Sequence, residues 1–177
     1  IAEVDGGLYN SNGIDLRALW EYRQRNGTIQ GFTGAEKADP AELLITECDI
    51  LIPAATENQI TSRNAAQLKC KILAEGANGP TTAAADDILA DKKVFVIPDI
   101  LCNAGGVTTS YFEWVQGLDN YFWDLKRVQD ELQKVMERAF DAVNAQADEA
   151  DCDYRSAAYT IAINRVAEAS KLKGLFP

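Results

Sequence analysis

Apolar and polar positions along this chain fall into two regimes. Between Cys48 and Pro98, compact apolar runs ("CDILIPA", "CKILAE", "VFVIP") are separated by stretches with helical character. Runs of this length without strict alternation predict strands buried on both faces of a parallel sheet. Strands alternating with helical stretches predict βαβ units. Beyond Gly105 the pattern becomes helical only: Leu125, Val128, Leu132, Val135, Ala139 and Val143 recur every three or four residues. That stripe is too short for a four-heptad coiled coil and is expected to pack on the sheet or on another domain. A polar stretch from Asn144 to Asp153 interrupts the apolar face before a last helix, which presents Ala158, Ile161, Val166 and Ala169.

Local signals set the boundaries. Leu16, Leu19 and Trp20 share one face of a helix spanning Asp15 to Asn26, which Gly27 stops. Asp39-Pro40-Ala41-Glu42 combines a cap residue, Pro at the first helical position and Glu three after the cap, a strong helix start. Thr61 is expected to cap a short helix reaching about Lys69, and Thr82 another reaching about Leu89. The predicted fold class is α/β: a truncated Rossmann-like parallel sheet with flanking helices, plus C-terminal helices. Residues 1–123 form the dinucleotide-binding part and residues 124–177 a helical region packing on it.

A dinucleotide-binding fold opens with a strand, a Gly-rich turn and a helix. No two glycines here are spaced G-x-G, so that fingerprint is missing. The chain opens instead with Ile1-Ala2-Glu3-Val4-Asp5-Gly6-Gly7, read as a strand end running into a turn. In such folds an acid at the end of the second strand bonds the adenosine ribose. Glu3 fits that place and Asp5 competes for it; the structural alternative for either is a solvated turn acid.

Two Asn-Gly loops follow apolar runs: Asn78-Gly79-Pro80 and Asn103-Ala104-Gly105-Gly106. Loops at the carboxyl ends of sheet strands are where ligands collect in open α/β folds. An Asn amide pairs with another amide, and Gly admits close backbone approach. The alternative for each Asn is a left-handed turn residue bonding its own backbone. Ala54 and Ala55 are small enough for a ring to lie against the backbone, or to pack a strand-to-helix turn.

Composition excludes several classes. A net charge of −10 argues against nucleic-acid or anionic-membrane partners. No apolar run approaches the ~20 residues of a membrane span. With no histidine, Ser-His-Asp and Cys-His catalysis are ruled out. The four cysteines (Cys48, Cys70, Cys102, Cys152) form no CxxC pair, so no metal site is expected and buried reduced thiols are the reading.

The words "EGANGPTT", "VIPDILCNAGGVTTSYFEW" and "CDILIPAATENQI" resemble the cofactor-binding half of glutamate dehydrogenases from Ile1 to about Gln116. "DYRSAAYTIAINRVAEASKLKG" is similar to the closing helix of bacterial members. The resemblance implies reversible oxidative deamination of L-glutamate to 2-oxoglutarate and ammonia, with NAD as cofactor and NADP possible. It also places Glu3 at the ribose. Asn78 resembles the family asparagine near the nicotinamide riboside, and Asn103 the one meeting the carboxamide end or the substrate. Ser110 resembles a serine that binds the substrate's side-chain carboxylate; the alternative is a helix serine bonding a backbone carbonyl. Glu113 and Trp114 are assigned to packing or capping. The family's acid–base lysines and aspartate lie in a domain ahead of this segment, so no catalytic residue is expected here. The chain is thus expected to be the C-terminal part of a longer, cytoplasmic, homohexameric enzyme and to be inactive by itself. The competing readings are a branched-chain or aromatic amino-acid dehydrogenase and a catalytically silent cofactor-binding or interaction module.

Overall fold

The computed structural model describes residues 1–174. The last three positions of the predicted helical region, 175–177, lie outside the described residues.

The segment that forms the candidate site is a parallel sheet. Strands β4 (Ile50–Leu51), β5 (Ile72–Ala74) and β6 (Phe95–Ile97) lie in that order, with Leu51 opposite Leu73 and Leu73 opposite Val96. A single 3-10 turn (Ala65–Gln67) lies in the first crossover, and helix α3 (Ala83–Asp91) makes the second. The helix expected from Thr61 to Lys69 is reduced to that turn. Asn64 Oδ1 takes the Thr61 N–H and its amide donates to Gln59 O, so local bonds replace a helical ladder. Leu73, Leu89, Ile60, Ala65 and Ala85 close a core with no exposure between sheet and helix.

Ahead of it, β1 (Ala2–Glu3), β2 (Gly6–Tyr9) and β3 (Glu36–Ala38) form a separate antiparallel sheet. The expected strand end is thus the first arm of a hairpin: the chain turns at Val4–Asp5, and Gly6 opens β2 at φ +143°, a conformation L side chains rarely adopt. Helix α1 (Leu16–Asn26) covers this sheet with Leu19 over Leu8 and Ile29. Asp15 caps α1, accepting from the Arg17 and Ala18 N–H groups, and Gly27 ends it at φ +73°. Leu16 and Trp20 remain exposed, so only part of the expected face is buried. Asp39 caps α2 (Pro40–Leu44) as its sequence predicts.

Both-face burial does not extend across the parallel sheet. Ile50 and Ile52 are 54% and 61% exposed because β4 is an edge strand. Past β6 the chain is helical: α4 (Asp99–Cys102), α5 (Ala104–Asp119), α6 (Leu125–Ala150) and α7 (Tyr154–Lys173). Helix α6 runs on through the expected polar break. Asn144 is turned to use: its Oδ1 accepts from the Tyr154 hydroxyl, while Ala147 fills the apolar face. Asp124 and Asp153 cap α6 and α7. Leu101, Val143, Ala147, Ala157 and Ala158 form the core that binds these helices to the sheet beside Ile97. Ala157 and Ala158 carry that contact; Val166 is exposed. On α5, Val107, Tyr111, Trp114 and Leu118 form an exposed apolar stripe at helical spacing.

Leu73 sits at the centre of the parallel sheet and is fully buried. Leu73→Ala is expected to lower unfolding stability by about 2–5 kcal/mol. Urea titration followed by circular dichroism measures it.

Candidate functional site

The segments following β4 and β5 are laced together by backbone. Ala77 N–H donates to Pro53 O (2.8 Å), Asn58 N–H to Gly79 O (2.9 Å) and Ile60 N–H to Pro80 O (2.8 Å). The loop after β4 and the loop after β5 therefore form one surface. Gly76 lies against Ala54: a Cβ built on Gly76 would meet the Ala54 Cβ at 3.1 Å, closer than carbon atoms pack at ease. Ala54 thus packs its Cβ against a tight loop crossing, although both it and Ala55 remain exposed.

Asn78 and Asn103 meet. The Asn103 Nδ2 donates to Asn78 Oδ1 at 2.8 Å and to Ala77 O at 3.3 Å. Neither has a positive φ; Gly79, at φ +55°, takes the left-handed turn position instead. The left-handed-turn alternative does not describe either asparagine. Asn103 stands at the N-cap of α5 but makes no side-chain cap bond, its amide being spent on Asn78 and Ala77. Among the described residues, Asn103 Oδ1 and Asn78 Nδ2 have no protein hydrogen bond, leaving one acceptor and one donor side by side. Asn78 is exposed and Asn103 half-buried.

Ser110 is exposed on α5, seven residues beyond Asn103, about 10 Å along the axis. Steps of four and three from Asn103 through Val107 reach it, so the serine shares the asparagine's side of the helix. The preceding Thr108 and Thr109 bond back to Ala104 O and to Gly105 and Gly106 O.

Glu3 lies apart on β1 in the antiparallel sheet, where Arg23 Nε on α1 donates to Glu3 Oε1 at 3.1 Å. Asp5 takes a different partner, the Thr28 hydroxyl. The structure therefore bonds Asn78 to Asn103, sets Ala54 against Gly76 in the Asn78 loop, and leaves Glu3 on its own sheet.

Beneath the asparagines is a charged cluster that sequence reasoning missed. Glu75, with 0% exposure, ends β5 and takes both Arg155 Nη atoms, at 2.7 and 2.8 Å. Arg155 also donates its Nε and Nη2 to Asp86 at 2.6 and 3.0 Å, and Asp99 Oδ1 lies 3.5 Å from its Nη1. Glu75 Oε2 accepts the Asp99 N–H at 2.9 Å, and Asp99 Oδ2 accepts the Gly79 N–H at 2.8 Å. Burial pushes the Asp86 carboxyl upward, against the downward pull of its Arg155 hydrogen bonds. Burial also disfavours the Arg155 charge, but the bonds to Glu75 and Asp86 outweigh it and hold the guanidinium protonated more firmly than usual. The acid in "LAEGAN" was visible; its cation, eighty residues later, was not.

All four cysteines are free; only Cys70 is buried, the others being half-buried. Burial raises the thiols of Cys48, Cys70 and Cys102 above their ordinary values. No cluster of three or more metal-ligating side chains occurs among the described residues.

Parallel strands with flanking helices and loops gathered at the strand carboxyl ends define a protein of the α/β class. The family model for glutamate/leucine/phenylalanine/valine dehydrogenase matches residues 1–174, and the chain belongs to that family. It is 46% identical to a glutamate dehydrogenase of Thermotoga maritima, over 100% of this chain and 42% of that protein. It is also 46% identical to an NADP-specific glutamate dehydrogenase of Synechocystis, over 98% of this chain and 43% of that one. The hetero-hexameric glutamate dehydrogenase of Thermus thermophilus, solved in its Leu-bound form, superposes with a TM-score of 0.89 at 31% identity, over 97% of this chain and 40% of that one. The chain thus spans about two fifths of the length of the relatives it matches.

Removing the cation from a buried pair strands the acid. Arg155→Ala is expected to cost about 3–5 kcal/mol of stability, measured by denaturant unfolding. Because burial raises the thiols, Cys48, Cys70 and Cys102 are expected to stay protonated at neutral pH. Their alkylation in the folded chain should lag a free thiol and accelerate only in strongly alkaline solution. Peptide mass mapping after a timed iodoacetamide pulse measures this.

Proposed function

We propose that this chain is the cofactor-binding portion of a glutamate dehydrogenase that interconverts L-glutamate and 2-oxoglutarate plus ammonia with a nicotinamide dinucleotide. The observation that carries the reading is the Asn78–Asn103 pair. It offers one free amide donor and one free amide acceptor at the carboxyl ends of the parallel strands. A carboxamide has the complementary acceptor and donor, so the residues fit a nicotinamide. Two relatives at 46% identity bearing the glutamate dehydrogenase name support the same reaction.

When bound, the nicotinamide gives or takes the hydride. This chain's residues orient it. Asn78 and Asn103 hold the amide end, and the Ala54–Gly76 crossing keeps the neighbouring backbone low enough for a ring to approach. Holding reactants in register is the main contribution such a surface makes to rate. Ser110 donates its hydroxyl to the substrate's distal carboxylate, and an apolar side chain in that place would leave the hydroxyl unpaired. That disfavours the branched-chain and aromatic alternative.

Glu3 accepts from the adenosine ribose 2′-hydroxyl, which favours NAD. Arg23, bonded to Glu3, is a cation within reach of a 2′-phosphate, so NADP remains a second substrate for the same place. The NADP-specific name of the Synechocystis relative favours that second reading. Residues 1–123 form the dinucleotide-binding domain, and the described residues from 124 to 174 a helical region. The enzyme is cytoplasmic and hexameric, in keeping with the hetero-hexamer of the Thermus relative and with no described helix long and apolar enough to cross a membrane.

Initial rates of 2-oxoglutarate amination by the complete open reading frame test this, with NADH and NADPH and a branched 2-oxo acid as control. Turnover of 2-oxoglutarate is the expected result; turnover of the branched acid alone would overturn the substrate. Ser110→Ala is expected to lower kcat/KM for 2-oxoglutarate about 10–100-fold, the loss of one hydrogen bond to a charged group.

A further inference from the structure

We propose that Arg155 is a positioning residue for dinucleotide binding, acting from the last helix through Glu75 and Asp99 on the Asn78–Gly79 turn. This rests on the cofactor reading above and adds to it a residue from outside the strand-end loops.

The connection is made by direct bonds. Arg155 engages both Glu75 oxygens. Glu75 Oε2 is shared, accepting from Arg155 Nη1 and from the Asp99 N–H, so the carboxylate cannot turn without releasing the start of α4. Asp99 then divides. Its Oδ2 takes the Gly79 N–H at 2.8 Å, next to Asn78, while its carbonyl takes the Asn103 N–H at 3.0 Å. Both asparagines of the proposed carboxamide contact therefore hang from one residue. That residue is fixed by a buried acid, and the acid by Arg155.

A staple for α7 alone would need one carboxylate. Here one guanidinium faces Glu75, Asp86 and Asp99, each within 3.5 Å. The bonds to Asp86 tie the helix to α3. Glu75 and Asp99 do something Asp86 does not: they pass the restraint into the turn. Lys cannot reproduce this, since its ammonium is a point charge and lacks the planar fork that meets both Glu75 oxygens while reaching Asp86. Asp99→Asn keeps an oxygen to accept the Gly79 N–H, whereas Asp99→Ala keeps none.

The test uses the complete open reading frame with Arg155→Lys, Asp99→Ala and Asp99→Asn, assayed well below each variant's Tm. Lys71→Ala, which breaks the exposed pair with Asp49, serves as control. Arg155→Lys and Asp99→Ala are expected to raise the dinucleotide KM about 10-fold, the size of one lost hydrogen bond. The 2-oxoglutarate KM should move by about two-fold or less, as for independent sites. Asp99→Asn should restore most of the dinucleotide KM, and Lys71→Ala should change neither. A lowered Tm with both KM values unmoved would overturn the proposal and make Arg155 a staple only.

Hydrogen exchange of the peptide spanning Gly76 to Thr82, measured without cofactor, provides a readout independent of turnover. Arg155→Lys should speed Gly79 exchange about 10-fold. Unchanged exchange overturns the positioning role. If the wild-type enzyme turns over no 2-oxoglutarate with either nicotinamide, the functional reading fails. The exchange result then still decides whether Arg155 holds the turn.

Discussion

The molecule depends on one buried carboxylate. Glu75 has no contact with solvent, and an ionised acid in that position is tolerable only with a cation and hydrogen-bond donors on its oxygens. Arg155 and the Asp99 backbone supply them. Meeting that demand draws α7 across the end of the sheet and fixes α4 against the loop after β5. The apolar contacts of Leu101, Ala157 and Ala158 follow the same docking geometry. Packing alone would admit several rotations of a helix faced with small residues; the guanidinium fork admits one.

Two sheets carry the two halves of the proposed cofactor contact. The parallel sheet presents the Asn78–Asn103 pair, and the antiparallel sheet presents Glu3 beside Arg23. β4 stands at a sheet edge, with Ile50 exposed. Continuous burial predicted from apolar runs therefore describes β5 better than β4. The runs are real, but periodicity reports what a strand could bury, and exposure depends on which neighbours are present.

Much of the architecture was legible. Asp39-Pro40 and Gly27 marked helix ends by local backbone chemistry, and the three apolar runs marked the parallel strands. The hairpin before Gly6 was missed because a turn does not declare which way the chain returns. The 3-10 turn was missed because Asn64 competes for the backbone bonds a helix would use. The continuation of α6 past Asn144 was missed because a polar residue inside an apolar stripe reads as a break until its partner, Tyr154, is known. Asn78 and Asn103 were found from loop chemistry, but their mutual bond was not, since it joins residues twenty-five apart. Glu75 was hidden for the same reason: a strand-end acid reads as solvated unless its distant partner is seen.

The separation of Glu75 from Arg155 has a consequence for biosynthesis. They stand eighty positions apart, and at ribosomal speeds of about 5–20 residues per second that is roughly 4–16 s of elongation. During that interval the strands and α3 are already made, yet the acid at the end of β5 has no cation. The nascent sheet must keep that end hydrated, its loops not yet held, until α7 arrives. Maturation of the strand-end loops is thus a late event in synthesis, and the nascent chain passes through an interval in which its core can form before the Asn78–Gly79 turn is fixed.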